Sequence, residues 1–135
     1  MKENCIFCKI IEGNIPSSKV YEDDDFLAFL DIHPVSEGHT LLIPKEHIIW
    51  MHEASNKLIS ELFIKTKELM NKMIKELPCD YVQIEVVGKD VPHLHIHLIP
   101  RHLDDEIKQP PTHLYKSKEK EEEIKNKLFE SFNSN

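Results

Sequence analysis

The sequence predicts an α+β fold, in which an antiparallel sheet of about five strands packs against one long helix. Short β-prone runs bounded by turn residues recur along the chain, and one long segment carries apolar side chains at the helical period. The chain has 135 residues, of which 40% are hydrophobic, and this size suits one core better than two. We therefore expect a single domain over residues 1–135.

Helical periodicity marks two segments in the first part of the chain. Residues 5–15 have helix-like apolar spacing, and Gly13 is a typical residue at a helix end. A much longer helix is expected between the N-cap candidate Ser55 and Leu77, because apolar side chains form a wide stripe there at a period of about 3.6 residues. Pro78 then ends this helix, since proline cannot continue the hydrogen-bond ladder.

A third helix is predicted near the C-terminus. Ser117 opens a charged segment in which Ile124, Leu128 and Phe132 recur every four residues. This recurrence predicts that one side of the helix packs on the domain. The lysines and glutamates between these residues then form a solvated face.

The predicted strands are short, and turn residues separate them. An acidic turn at residues 23–25 joins the first two as a hairpin, and the turn at residues 88–90 joins the last two. Because each pair is joined by a tight turn, the sheet is expected to be an antiparallel meander. The expected strands cover residues 19–22, 26–31, 40–44, 81–87 and 93–100.

Composition restricts the function classes. The formal net charge of −7 argues against broad electrostatic binding to nucleic acid, which depends on Lys and Arg contacts to phosphates. No apolar run reaches the roughly 18–20 residues of a membrane span, and the first residues lack the apolar stretch of a signal peptide. We therefore expect a cytoplasmic protein with no membrane partner. Its three cysteines do not suggest a disulfide framework in that compartment.

Three alternating histidines are the most informative feature. His93, His95 and His97 share one face of a strand, so their rings are expected about 6–7 Å apart. Neutral imidazoles in a row can divide the work of catalysis, with one attacking, one donating a proton and one contacting phosphate. The alternative is a surface pair that binds adventitious metal. The aliphatic residues between the histidines argue against it, since they direct the opposite face into the core: Leu94, Ile96 and Leu98.

Four separated segments resemble the histidine triad (HIT) superfamily, and in particular its Hint-like branch. The matching segments are residues 5–11 (CIFCKII), 27–32 (LAFLDI), 38–47 (GHTLLIPKEH) and 93–100 (HLHIHLIP). Agreement in both residue type and order makes the resemblance specific. It covers about residues 4–101, which leaves residues 102–135 as a C-terminal extension with its own helix.

The resemblance implies a homodimeric α+β hydrolase of nucleotide derivatives. By resemblance, His95 attacks the α-phosphorus of a nucleoside phosphoramidate or adenylate and forms a nucleotidyl-histidine intermediate, which water hydrolyses. His97 would contact the phosphate, His93 would set its neighbours, and His39 would complete the group. No redox cofactor is expected.

The resemblance also implies a nucleotide site. Asp31 would accept hydrogen bonds from the ribose hydroxyls, and a purine base is expected. Gly88-Lys89-Asp90 replaces the amide and hydroxyl side chains that many family members carry before the triad. Two alternatives follow: a backbone amide of Asp90 or Val91 faces the phosphate, or the Asp90 carboxylate repels it. The residues expected to form an apolar slot for the base are Ile6, Phe7, Ile10, Phe29 and Ile32.

A zinc site is the last expectation. Cys5 and Cys8 have the spacing of one half of a tetrahedral zinc site. In some bacterial-type relatives two histidines complete the site. The matching residues here are His47 and the first triad histidine, His93. The other interpretation is that both cysteines are buried packing residues.

Four other functions remain open from the sequence. A nucleotidyl transferase of the sugar-phosphate type is the least favoured, because that branch of the superfamily replaces the third histidine and this chain keeps His97. The chain could be a dinucleoside polyphosphate hydrolase, although its Cys-x-x-Cys start and its Hint-like flanks argue against it. It could be a nucleotide-binding or scaffolding dimer with residual activity, which the departure at Lys89 and Asp90 keeps open. A purely zinc-binding interaction module would bind no nucleotide, and the presence of Asp31 and His39 argues against that interpretation.

Overall fold

The fold is an antiparallel sheet with helices on both faces. The structure is a computed structural model that describes residues 2–134, so the ends of the predicted domain, Met1 and Asn135, lie outside the described residues. The helices are α1 (Ile6–Ile11), α2 (Asn56–Glu76) and α3 (Lys118–Phe132), with a short 3₁₀ turn at Met51–Glu53. The strands are β1 (Lys19–Glu22), β2 (Phe26–Leu30), β3 (Thr40–Pro44), β4 (Tyr81–Glu85) and β5 (Ile96–Arg101).

The five strands form one sheet in the order β1-β2-β3-β5-β4, and every neighbouring pair is antiparallel. The predicted hairpin between β1 and β2 is confirmed. The Asp23 carboxylate accepts the backbone N–H groups of Asp25 and Phe26 at 2.8 and 2.7 Å, which closes the acidic turn. β2 and β3 are buried almost throughout, since both of their faces are covered.

One core lies between the sheet and α2. Ser55 caps this helix as predicted, because its hydroxyl accepts the N–H of Leu58 at 3.1 Å. The helix turns Leu58 and Leu62 onto the sheet, and Leu77 follows its last turn. The buried members of this core are Phe26, Ala28, Leu42, Leu58, Leu62, Val82, Leu94, Ile96 and Leu98.

A second core lies on the opposite face of the sheet, beneath α1. The Cys5 thiol caps this helix by accepting the N–H of Cys8, and the helix ends at Ile11, before the predicted Gly13. Gly13 follows with a φ of +81°, a left-handed conformation that favours glycine. The buried members of this core are Cys5, Phe7, Cys8, Ile10, Leu27, Phe29, Leu41 and Ile43.

The C-terminal helix forms as predicted, but its predicted packing is wrong. Ser117 caps α3 by accepting the N–H of Lys120, yet no residue of α3 is buried. The apolar residues Leu128 and Phe132 are 45% and 77% exposed. The preceding polar segment, residues 102–117, has neither helix nor strand.

No helix within residues 2–134 combines the length and the apolar character that a bilayer crossing requires.

Leu62 offers a direct test of the larger core. Its side chain is fully buried between α2 and the sheet, so Leu62→Ala should lower the free energy of unfolding by about 2–5 kcal/mol through lost burial and a residual cavity. Urea denaturation followed by circular dichroism measures this change. Ile64→Ala is the matched control on the same helix, because Ile64 is 60% exposed, and it should change stability by less than about 1 kcal/mol. Equal losses in the two variants would contradict the described burial.

Candidate active site

The ends of three neighbouring strands bring the predicted reacting residues together. His97 lies on β5, His39 directly precedes β3, and Asp31 directly follows β2. Since β2 and β3 are antiparallel, Asp31 comes beside His39, and its backbone N–H donates to the His39 carbonyl at 2.9 Å. Leu41 lies opposite His97 in the register of β3 and β5, which places the two histidine-bearing segments side by side.

His93 and His95 do not lie on a strand, which corrects the prediction for residues 93–100. β5 begins only at Ile96, and His93 lies in a bend before it. The ladder between β3 and β5 ends at the pair Leu42–Ile96, two residues before Pro44, the last residue of β3. The Leu94 N–H instead donates to the Ile48 carbonyl at 2.6 Å.

The bend changes how the three histidines are arranged. The rings of His95 and His97 are 4.9 Å apart between centroids, closer than the spacing expected along a regular strand. His93 instead directs its ring towards Cys5 and Cys8. The predicted direction of the interleaved aliphatic residues is confirmed, since Leu94, Ile96 and Leu98 belong to the core beneath α2.

His95 has one ring nitrogen that is free to act as a nucleophile. Its Nδ1 lies 2.7 Å from the backbone carbonyl oxygen of His93, which can only accept a hydrogen bond. Nδ1 therefore carries the proton, and Nε2 keeps its lone pair. The ring is buried and packs edge-on against Phe7, with centroids 5.1 Å apart, so its orientation is fixed on two sides.

A second chain of hydrogen bonds sets the protons of His39 and His97. The Val35 N–H donates to His39 Nδ1 at 3.0 Å, so neutral His39 carries its proton on Nε2. That nitrogen lies 3.0 Å from His97 Nδ1 and donates to it. His97 must then hold its own proton on Nε2, where it is a donor to an anionic ligand such as a phosphate oxygen.

Burial keeps all of these imidazoles neutral near pH 7. It is the largest cause that lowers the pKa of His39, His95 and His97 below its ordinary value, because a charged ring is poorly solvated there. For His97 the neighbouring His39 lowers the pKa further, and the carboxylate of Asp31 opposes the shift. Neutral rings are required for the proton positions described above.

The residues predicted to bind the nucleotide occupy two kinds of place. Phe7, Ile10 and Phe29 are buried together in the core beneath α1, with Phe7 and Phe29 packed edge-on at 5.4 Å. Ile6 and Ile32 are exposed, Ile32 to 85%. The structure thus does not gather these five side chains into one surface.

Of the residues predicted to make polar contacts, Asp31 lies beside His39. Asp31 is half-buried, its Oδ1 accepts the His33 N–H at 2.8 Å, and its Oδ2 lies 3.6 Å from His39 Nε2. Val91 is half-buried against the core beneath α1. Asp90 is exposed, and its negative charge partly opposes the effect of burial that lowers the pKa of His97.

The four predicted metal ligands form one cluster. The thiol sulfurs of Cys5 and Cys8 and the Nδ1 atoms of His47 and His93 lie within 4.8 Å of one another. His93 Nδ1 is 3.5 Å from Cys5 Sγ and 3.6 Å from Cys8 Sγ, and His47 Nδ1 is 3.3 Å from Cys8 Sγ. A tetrahedral zinc ion with ordinary Zn–S and Zn–N bonds separates such S and N ligands by about 3.6 Å, so the cluster fits this metal.

The protonation of His93 also fits a metal. Its Nε2 lies 2.8 Å from the Pro44 carbonyl oxygen and donates to it, which leaves the Nδ1 lone pair directed at the two sulfurs. The group Asp31, His39 and His97 is equally close-packed but does not fit. His39 Nε2 carries a proton there, because Nδ1 already accepts the Val35 N–H, so it has no lone pair for a cation.

Two of the hydrogen-bond partners carry no signal in the sequence. The Val35 N–H and the Pro44 carbonyl are backbone groups, and any residue type supplies a carbonyl. Glu85 was also missed, because the strand pattern shows which residues share a face but does not fix which residue lies opposite on the neighbouring strand. It lies directly opposite His97 in the register of β4 and β5, so its side chain shares a face with that histidine.

Comparison with known proteins settles the family. The sequence profile of the HIT domain family matches residues 12–104, well over half of the chain. The chain belongs to the HIT domain family. The Bacillus subtilis relative called Protein hit is 46% identical over 105 residues, which cover 74% of this HIT protein and 72% of that chain. An adenosine 5'-monophosphoramidase from Schizosaccharomyces pombe is 42% identical over 103 residues, which cover 73% and 74% of the two chains.

Solved structures of HIT proteins share this architecture. A HIT family member from Bacillus subtilis superposes with a TM-score of 0.81 at 35% identity, and the match covers 98% of this chain and 100% of the other. A zinc-bound histidine triad family protein from Mycobacterium smegmatis has a TM-score of 0.74 at 26% identity, with coverage of 95% and 97%. The predicted resemblance and the α+β fold class are therefore confirmed.

The proton positions of this HIT protein are testable by NMR. Long-range ¹H–¹⁵N correlation spectra at pH 7.5 should show His95 protonated on Nδ1 and His39 and His97 protonated on Nε2. The His93 carbonyl can only accept and the Val35 N–H can only donate, and neutral His39 then donates from Nε2 to His97 Nδ1. The exposed His113 is the internal control and should show a mixture of the two tautomers. A spectrum with His95 protonated on Nε2 would remove the free nucleophilic nitrogen.

Proposed function

We propose that this protein is a histidine triad hydrolase of the phosphoramidase type, which cleaves nucleoside phosphoramidates or adenylates, with purine nucleosides preferred, at the α-phosphate. The observation that carries the proposal is the hydrogen bond from His95 Nδ1 to the His93 carbonyl, which leaves a buried, neutral Nε2 lone pair beside His97. The name of the Schizosaccharomyces pombe relative, an adenosine 5'-monophosphoramidase, supports this reaction type.

The proposed first step is attack of His95 Nε2 on the α-phosphorus. A nitrogen–phosphorus bond forms to His95, and the bond from phosphorus to the leaving nitrogen breaks. The leaving nitrogen keeps the electron pair, takes up one proton from solvent and departs as an amine. The product on the enzyme is a nucleotidyl-histidine.

The proposed second step is hydrolysis of that intermediate. Water attacks the same phosphorus, the bond to His95 breaks, and its electron pair returns to Nε2. One proton passes to solvent, so the two steps together consume one water and release a nucleoside monophosphate. His95 recovers its original protonation, since Nδ1–H remains bonded to the His93 carbonyl throughout.

The neighbouring residues position the substrate in this proposal. The Nε2–H of His97 donates to a phosphate oxygen, and His39 holds His97 in that tautomer through the 3.0 Å bond between them. Asp31 accepts the ribose hydroxyls, and its place beside His39 supports this role. The phosphate and base are flanked by Ile6, Ile32 and the backbone at Asp90 and Val91. Beneath them lie the buried side chains of Phe7, Ile10 and Phe29.

We also propose that Cys5, Cys8, His47 and His93 hold a structural zinc ion. The fit of their distances to a tetrahedral site supports this, as does the zinc-bound relative from Mycobacterium smegmatis. Burial raises the pKa of the Cys8 thiol, so a cation is needed to keep a thiolate at that position. When bound, the metal would supply structural support for the bend at His93.

The assembly proposed for this chain is a cytoplasmic homodimer, as the resemblance implies. β4 is an edge strand whose outer hydrogen-bonding groups are unpaired within the described chain. Apolar side chains on and after this strand are exposed, among them Tyr81, Ile84, Val86 and Val87. An edge of this kind favours pairing with a second sheet.

Zinc binding predicts a definite stoichiometry. The purified protein should contain about one zinc per chain by plasma mass spectrometry, and Cys8→Ser should lose most of it, because a neutral hydroxyl replaces a thiolate ligand. Cys79→Ser is the matched control, since this free thiol lies outside the cluster, and it should retain the metal. Only trace zinc in the unmodified protein, refolded with the metal present, would rule the site out.

The proposed reaction is tested with a fluorogenic adenosine phosphoramidate. His95→Ala should lower kcat on the order of 10³-fold or more, since the nucleophile is removed. Mass spectrometry of the quenched unmodified reaction should find a nucleotidyl adduct on the peptide with His95. His113→Ala, at an exposed histidine remote from the strand ends, is the matched control and should keep full activity.

Two outcomes would contradict the proposal. Comparable turnover by His95→Ala would exclude His95 as the nucleophile. Measurable nucleotide binding with no turnover and no adduct would favour the alternative of a nucleotide-binding dimer, for which the negative charges of Asp31, Glu85 and Asp90 around His97 offer a physical reason.

A further inference from the structure

The single tryptophan of the chain covers the loop of residues 86–92, which joins β4 to the bend before β5. Gly88 in this loop is buried, although its neighbours Val87 and Lys89 are exposed. Its φ is +79°, a left-handed conformation that favours glycine. A β-carbon built on Gly88 would lie 3.2 Å from Trp50 Cζ3 and 3.4 Å from Trp50 Cε3, so the indole ring packs directly on the glycine backbone.

Trp50 is itself held beside the bend that carries the histidines. Its N–H donates to Glu53 Oε1 at 3.3 Å, and the Glu53 N–H donates to the Trp50 carbonyl at 3.0 Å, so the 3₁₀ turn fixes its backbone. Two residues earlier, the Ile48 carbonyl accepts the Leu94 N–H. Trp50 is 43% exposed and belongs to neither core, so its contact with Gly88 is not a by-product of core packing.

The same loop lies close to the reacting rings. The negative charge of Asp90 partly opposes the effect of burial that lowers the pKa of both His95 and His97. One residue later, Val91 packs against the core beneath α1, and its carbonyl accepts the His93 N–H at 2.8 Å. The loop is therefore fixed by Val91 on the side of the histidines and by the Trp50 ring three residues earlier.

The loop offers backbone donors to an anion. Within residues 2–134, the N–H groups of Lys89 and Asp90 donate to no protein acceptor. Successive backbone N–H groups bind phosphate when the chain holds them in one arrangement. The Asp90 carboxylate has the same sign of charge as a phosphate, so these donors must be held in place if their attraction is to exceed its repulsion.

We propose that Trp50 is a positioning residue for phosphate binding, which acts by holding the backbone of residues 88–91 beside His95 and His97. This inference rests on the proposed function, since the phosphate is that of the nucleotide substrate. Without the indole ring, the loop keeps only its anchors at the end of β4 and at Val91, and it samples other arrangements. If the binding arrangement is then occupied about one-tenth of the time, the apparent affinity for the phosphate falls about tenfold.

Two ligands that differ only in the phosphate isolate this effect. AMP and adenosine share the base and the ribose, so the ratio of their dissociation constants measures what the phosphate contributes. By calorimetric titration at pH 7.5, Trp50→Ala should weaken AMP binding about tenfold and change adenosine binding by less than about twofold.

Turnover of the fluorogenic adenosine phosphoramidate gives a second measurement. In Trp50→Ala, KM should rise about tenfold and kcat should change by less than about threefold, because His95 keeps its hydrogen bond to the His93 carbonyl. ¹⁵N relaxation should show that the amides of Lys89 and Asp90 become more mobile in this variant, while the Leu94 amide, which is bonded to the Ile48 carbonyl, does not.

Two further variants separate the ring from a general loss of structure. Met51→Ala is the matched control, because Met51 follows Trp50, is similarly exposed at 41%, and does not supply the atoms nearest to Gly88. It should leave the affinities for AMP and adenosine unchanged. Trp50→Phe keeps an aromatic ring at this position and should bind AMP within about threefold of the unmodified protein.

The outcomes separate this inference from the function on which it rests. AMP binding that is as tight in Trp50→Ala as in the unmodified protein would overturn the role of Trp50 and leave the hydrolase proposal standing. Equal losses for AMP and adenosine, or a loss in Trp50→Phe as large as that in Trp50→Ala, would overturn it as well. No binding of AMP to the unmodified protein would count against the proposed function itself, and the inference would fall with it.

Discussion

The hydrogen bond from His95 Nδ1 to the His93 carbonyl is the constraint on which the site depends. It joins two residues only two positions apart, so it requires the chain to bend before β5 begins. The bend lies just before the point where the ladder between β3 and β5 begins, at the pair Leu42–Ile96, and the Leu94 N–H there donates to the Ile48 carbonyl. A regular strand through these residues would direct the two rings to one side and would leave the proton of His95 unassigned.

His93 connects the two parts of this region. Its carbonyl sets the proton of His95, while its ring reaches the thiols of Cys5 and Cys8 and is anchored by the Pro44 carbonyl. Through these contacts α1, the end of β3 and the start of β5 meet at one residue. The second core beneath α1 therefore supports the reacting ring directly, and Phe7 packs against both His93 and His95.

Much of the fold was predictable because local rules agreed with the tertiary packing. The capped helix after Ser55, the acidic hairpin turn and the apolar run of β3 follow from hydrogen-bonding and periodicity rules that the surroundings do not overrule. The strand before Ile96 was overpredicted, since alternation of side chains does not reveal where pairing with the neighbouring strand ends. The prediction that α3 packs on the domain was wrong. An apolar stripe shows that one face of a helix is suited to burial, but it does not identify the surface that covers that face. The relation of Glu85 to His97 required the strand register, which the sequence pattern does not fix.

The backbone partners of the site have an evolutionary consequence. The Val35 N–H is present with any residue except proline at that position, and the His93 carbonyl is present with any residue, so the tautomers of His39 and His95 depend little on the side chains of their partners. Substitution of a neighbouring side chain, such as Glu85 opposite His97 on β4, therefore leaves the backbone groups that set these protons in place. A reaction centre whose protons are set by the backbone can tolerate changes in the side chains that surround it.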